Sequence, residues 1–129
     1  MHRILVVDDQ AFMRSFVRSR IETQEGWEVC GEAVNGKDAI EQARLLKPHL
    51  IILDIHMPIM NGFEAARQIL MLTPEMIILI ISFGEPIHFG KAAAHCGAKG
   101  YLVKSQVAEN LVLAVTVLLR SGTYFSHAD

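Results

Sequence analysis

This chain of 129 residues is poor in the features that mark secreted, membrane-spanning or nucleic-acid-coating proteins. It has 2 cysteines, Cys30 and Cys96, far apart and without a CxxC pair. That excludes a disulfide framework and fits a reducing compartment. Long apolar runs are missing too. Beyond the first apolar run the longest, Met76 to Ile81, falls far short of the roughly 20 residues a membrane helix needs. The opening MHRILVVDDQ is too short and too acidic for a signal peptide. An excess of one charge is also absent: 12 Lys and Arg face 14 Asp and Glu, a formal net charge of -2, which excludes a generally basic nucleic-acid coat. There is no internal repeat, no low-complexity stretch, no GxGxxG and no P-loop. The expectation is a cytoplasmic protein without membrane contact.

What is there is a foldable core. Hydrophobic residues make up 51% and charged residues 20%, a balance that excludes intrinsic disorder. The length suits one domain over residues 1–129, able to fold without a metal or disulfide staple. Short β-rich runs alternate with helical patterns. Ile4 to Val7, Leu50 to Leu53 and Met76 to Ile81 are apolar and end at an acid or a serine; Gly100 to Val103 ends at Lys104. Trp27 to Ala33 is more polar, as a strand nearer an edge would be. Runs of this length and composition suit strands covered on both faces.

Between them lie helical stripes: Phe12, Phe16 and Val17; Ala39, Ile40 and Ala43 behind an Asn35 cap; Phe63, Ala66, Ile69 and Leu70. A fourth helix opens at Pro86 and ends near Gly97, and a fifth carries Val107, Leu111, Ala114, Val115 and Leu118. The order is βα repeated five times. With short right-handed crossovers it predicts an α/β fold: an open, doubly wound, parallel five-stranded sheet with helices on both faces.

In such sheets ligands bind beyond the carboxyl ends of the strands. There the sequence places Asp8 and Asp9, Asp54, Ser82 and Lys104. Carboxylates crowded together repel unless a cation neutralises them, and hard oxygen donors suit Mg²⁺ or the similar Mn²⁺. A lysine supplies a compact charge for one phosphoryl oxygen, and a serine hydroxyl can donate to another. One carboxylate can itself become an aspartyl phosphate. Asp54 stands alone after the most apolar central strand and is assigned that role; the adjacent Asp8 and Asp9 are assigned to the metal.

ILVVDDQ, LIILDIHMPIMNGFE, ILIISF and GAKGYLVKS, in this order, resemble the receiver domain of two-component response regulators over essentially the whole chain. The resemblance implies the flavodoxin-like strand order 2-1-3-4-5 of the chemotaxis receiver. It implies that Asp54 is the phosphoacceptor, Asp9 a direct metal ligand, Asp8 its water-linked neighbour, and that His56 offers the metal its backbone carbonyl. It gives Ser82 the role of switch hydroxyl, Lys104 that of phosphate-binding lysine, and Tyr101 that of the aromatic that turns inward on activation. It also implies a histidine kinase or phosphotransfer protein as partner and homodimerisation on phosphorylation. By role such a protein is a signalling phosphoprotein with self-catalysed phosphotransfer and autodephosphorylation, not an enzyme. GAKGYLVKS and SGTYFS are closest in flavour to LuxR-type DNA-binding regulators. In that reading residues 121–129 begin a linker to an effector domain through which alone DNA would be bound.

Three departures stand out. Phe83 follows Ser82 where a small residue is usual, and would narrow access to the site or block the path of Tyr101. Gly84 contributes no side chain at a position that tunes hydrolysis, which leaves His56 to set the rate. Ser105 replaces a proline common after the lysine. Competing readings are a stand-alone receiver and a phosphorylation-independent interaction module closed by Phe83. A flavodoxin-like cofactor enzyme is argued against by the missing phosphate-binding glycines and the acids at the strand ends. Arg14, Arg18 and Arg20 give the first helix a basic side, read either as a solvated face or as a docking surface for the kinase.

Overall fold

A computed structural model describes residues 1–83 and 86–126, the side chains of residues 86–88 excepted. Strand and helix alternate along it: β1 (His2–Val7), α1 (Ala11–Glu22), β2 (Trp27–Ala33), α2 (Gly36–Leu46), β3 (Leu50–Asp54), α3 (Gly62–Leu72), β4 (Ile77–Ser82), α4 (Pro86–His95), β5 (Gly100–Val103), α5 (Val107–Leu119) and β6 (Tyr124–Phe125). A single 3₁₀ turn, Lys104–Gln106, joins β5 to α5. The sheet is parallel throughout, in the order β2-β1-β3-β4-β5-β6.

The apolar runs are strands because both of their faces are covered. Successive side chains of a strand point to opposite sides. Leu5, Val7, Ile51, Leu53, Ile78 and Ile80 accordingly meet Ala39, Ala66 and Ile69 from α2 and α3 and Ala93 from α4. Their neighbours Ile4, Val6, Leu50, Ile52, Leu79 and Ile81 meet Val17 and Ile21 from α1 and Leu111, Val115 and Leu118 from α5. Each fully buried aliphatic side chain stabilises by roughly 1.5–3 kcal/mol, so a central strand with no exposed face needs an unbroken apolar run. β3 is such a strand: all of its residues are buried.

The loops are set by particular residues. Asn35 and Asn61 cap α2 and α3, accepting hydrogen bonds from Asp38 N at 2.8 Å and Glu64 N at 3.0 Å. Lys47 closes α2 in the left-handed region, with φ of 48°, just before Pro48. The α5 stripe is buried at every expected position.

Two expectations need correction. The buried stripe of α1 is Met13, Val17 and Ile21, whereas Phe12 is 81% exposed. Val17 is buried and Phe16 packs against the same core as expected, so the correction concerns Phe12 alone, whose place on the inner face Met13 takes one residue later. The sheet also has a sixth strand, β6, where residues 121–129 were expected to begin a linker. Two residues are too few to show a period of two, so β6 has no sequence signature of its own. The residues after 126 lie outside those described.

Candidate functional site

β3 and β4 each end in a polar residue, Asp54 and Ser82, and Asp8 directly follows β1, because the apolar stretches run out where the helices no longer cover the sheet. In-register parallel pairing sets Asp54 beside Ile81 and Ser82 beside Val103, so the strand ends fall on one edge. Asp8, at 1% exposure, Asp54 at 2%, Ser82 at 0% and Lys104 at 6% are buried there, and Asp9 faces solvent. Asp8, Asp9 and Asp54 each present a carboxylate oxygen within 4.8 Å of the others. Lys104 Nζ reaches Asp8 Oδ2 at 2.9 Å and Asp54 Oδ1 at 3.2 Å. The expected acids, hydroxyl and ammonium are thus gathered at one place.

The surrounding backbone holds Asp8 firmly. Its Oδ1 accepts from Gln10 N at 2.9 Å, and its carbonyl accepts from Arg14 Nη1 at 2.8 Å. Gly62 makes the return from β3 possible. Its amide donates to Ile55 O at 2.9 Å, and a Cβ there would meet the Asp54 carbonyl oxygen and lie 2.9 Å from its carbon. From the sequence Arg14 is read only as part of a basic helix side and Gly62 only as fitting the loop after Asp54, neither as a support of the site. An arginine within the first turn after an Asp-Asp pair is the signal that would have pointed to the first.

The charge balance is unfavourable as it stands. Burial pushes the Asp54 carboxyl up to about 6, and Asp8 and then Asp9 push the same way against the opposing pull of Lys104. Three carboxylates against one ammonium leave an excess of negative charge. Asp8 Oδ2 and Asp54 Oδ1 are enclosed, and the ammonium they share is the charge set against them among the described residues. Crowded hard oxygen donors carrying excess negative charge at this spacing fit a divalent cation such as Mg²⁺, which Asp8, Asp9 and Asp54 could hold together.

The remaining expected residues fall as follows. His56 lies in the loop after β3, exposed, with its ring edge-on to Phe89 at 5.7 Å. Tyr101 is fully enclosed on the side of α2, α3 and α4, so the inward position is the one this structure holds. Phe83 is 65% exposed and lies under Lys104 Nζ, 4.8 Å from its centroid. Its ring therefore lies against the lysine of the site and does not occupy the enclosed place that Tyr101 fills. Gly84 lies outside the described residues. The basic side of α1 is engaged within the molecule: Arg14 and Arg18 both bond Glu32, at 2.9 and 2.6 Å, and Arg20 bonds Ala108 O at 2.7 Å. Burial raises the Glu32 carboxyl, but hydrogen bonds from Arg18 and Arg14 outweigh it and hold the group below the usual range. A cavity of about 790 Å³, lined by Ile40, Ala43, Ile69, Leu72 and Leu119 among others, opens elsewhere and includes neither Asp8, Asp9 nor Asp54.

A doubly wound parallel sheet with its acids gathered at the carboxyl edge is the arrangement found in the class of signalling receivers. The chain belongs to it: residues 4–116 match the response regulator receiver domain family. It is 36% identical over 122 residues to the transcriptional regulatory protein YdfI of Bacillus subtilis, covering 95% of this chain and 57% of that protein. It is 41% identical over 102 residues to the chemotaxis protein CheY of Thermotoga maritima, covering 79% of this chain and 84% of CheY. The crystal structure of a LuxR-family two-component response regulator from Aurantimonas sp. SI85-9A1 superposes with a TM-score of 0.91 at 31% identity, over 95% of this chain and 87% of that one. The expected order 2-1-3-4-5 is borne out, with β6 added beyond β5.

Proposed function

We propose that the chain is a phosphorylation switch in which Asp54 accepts a phosphoryl group from a histidine kinase or phosphotransfer protein. The observation that carries this reading is the Asp54 carboxylate, buried beside two acids within 4.8 Å and an ammonium at 3.2 Å. With a pKa raised to about 6, Asp54 is still mostly ionised at neutral pH and can act as the nucleophile. A carboxylate oxygen attacks phosphorus as the donor's N–P bond breaks, and the bonding pair leaves with the imidazole nitrogen. Lys104 then turns its charge to a phosphoryl oxygen, and the Ser82 hydroxyl donates to another. Asp8, Asp9, Asp54 and the His56 carbonyl would hold Mg²⁺ or Mn²⁺, which when bound supplies positive charge against the phosphoryl oxygens. Attack of water on phosphorus later restores Asp54, and His56 stands at the loop where that attack is tuned.

By role this is a signalling phosphoprotein, with Ser82 and Tyr101 as its switch residues. YdfI is named a transcriptional regulatory protein and is longer than this chain, which supports an output in transcription through an effector domain beyond these residues. Homodimerisation on phosphorylation belongs to the same proposal. The test is intact mass after incubation with acetyl phosphate, with and without Mg²⁺, for the native chain and Asp54→Ala. One added phosphoryl group that needs both Asp54 and Mg²⁺ is expected. If no adduct forms and beryllofluoride does not bind, the chain is a phosphorylation-independent interaction module instead.

A further inference from the structure

β6 ties the end of the described chain to the strand that carries the site's lysine. After α5, Ser121 takes a φ of 66° and Gly122 N donates to Val117 O at 3.0 Å, which turns the chain back onto the sheet. Tyr124 N then donates to Lys99 O at 3.1 Å and Ser126 N to Tyr101 O at 2.8 Å. Gly100 makes room: a Cβ there would lie 2.7 Å from Tyr124 O. Phe125 packs against one face's core and Tyr124 against the other's. The buried Ser126 hydroxyl accepts from Val103 N at 3.3 Å and donates to Gln106 Oε1 at 3.1 Å. It therefore bridges the two sides of Lys104, the residue that joins Asp8 to Asp54.

We propose that residues 124–126 form the element through which the state of the site leaves the domain, so that loading Asp54 loosens them from β5. This rests on the phosphorylation reading above. The ion pairs of Lys104 fix the turn 104–106 relative to β1 and β3. When Nζ is drawn to a phosphoryl oxygen, its contact with Asp8 weakens and the turn shifts. The Ser126 bridge spans that turn, and its 3.3 Å bond to Val103 N is already at the long end of hydrogen bonding. A strand of two residues at the sheet edge belongs to the least stable part of a sheet, where local opening comes first.

The experiment measures amide exchange by NMR on the 129-residue chain, with Mg²⁺ alone and with Mg²⁺ plus beryllofluoride, for the native chain, Asp54→Ala and Ser126→Ala. Fluorine NMR reports bound beryllofluoride in the same samples. The expected result is exchange at least tenfold faster at Tyr124, Ser126 and Val103 in the loaded native chain, and no change in Asp54→Ala. In Ser126→Ala, the Val103 amide is expected to exchange fast already and to respond no further. Bound beryllofluoride with unchanged or slower exchange overturns the coupling and leaves the phosphorylation reading standing. No bound beryllofluoride overturns both.

Discussion

In the proposed switch, Asp54 is a nucleophile kept ready by an unfavourable environment. Burial removes water from its carboxylate, and Asp8 and Asp9 add like charge, so the folded protein holds its proton more tightly than the unfolded chain does. The rise from 3.8 to about 6 corresponds to destabilisation on the order of 3 kcal/mol above the folded pKa. The sign follows from proton linkage. Between these two pKa values the folded state binds more protons, so metal-free stability falls as pH rises through that window and levels off above it. Asp54→Asn removes the charge and the repulsion, while Lys104 keeps Asp8 as partner at 2.9 Å. The variant is expected to be more stable than the native chain by about 1–3 kcal/mol at pH 7.5 without metal. The two should converge below about pH 3, where an aspartate is mostly neutral in either state. Urea unfolding at both pH values checks this; equal stability at pH 7.5 would show that Lys104 already compensates the buried charge.

At the scale of elements, the return from β3 into α3 decides whether Asp54 points into the site. Gly62 begins α3 with its Cα against the Asp54 carbonyl, and a methyl group there has backbone on its near side. Backbone cannot rotate aside, so Gly62→Ala must displace the strand end. A cost of about 1–3 kcal/mol is expected, as for other overpacked sites, together with at least a tenfold slower uptake of phosphoryl from acetyl phosphate. Gly90→Ala on α4 is the control. A Cβ there meets nothing within 4 Å, and helix propensity predicts a neutral or slightly stabilising change. The same comparison explains what the sequence could reveal. Strand runs, capping asparagines and the α5 stripe were legible because each is a local pattern repeated over several residues. The nesting of Gly62 under Asp54, the tie from Arg14 to the Asp8 carbonyl and the pairing of β6 were not, since each depends on where distant segments meet.

For the whole molecule, the acids matter as one cluster, and their gathering was readable because the parallel topology sends every strand end to the same edge. What the sequence left open is how the cluster's charge is balanced, which depends on distances. Those distances predict a coupling between metal, protons and stability. A cation held by Asp8, Asp9 and Asp54 competes with the proton on Asp54, so affinity is expected to fall as pH drops through about 6. Metal that binds only the folded state stabilises it by RT ln(1 + [L]/Kd), about 1.4 kcal/mol at tenfold excess over Kd. For a domain of this size that is a rise in Tm of roughly 3–6 °C. Thermal unfolding in rising Mg²⁺ should therefore show a saturable increase at pH 7.5 and a much smaller one at pH 5. Asp9→Asn, which removes an exposed ligand without disturbing the buried pair, should shift the titration to higher Mg²⁺ while leaving the metal-free Tm nearly unchanged. A Tm that rises equally at both pH values, or equally in Asp9→Asn, would mean that Mg²⁺ acts as general screening salt and that the three carboxylates do not share an ion.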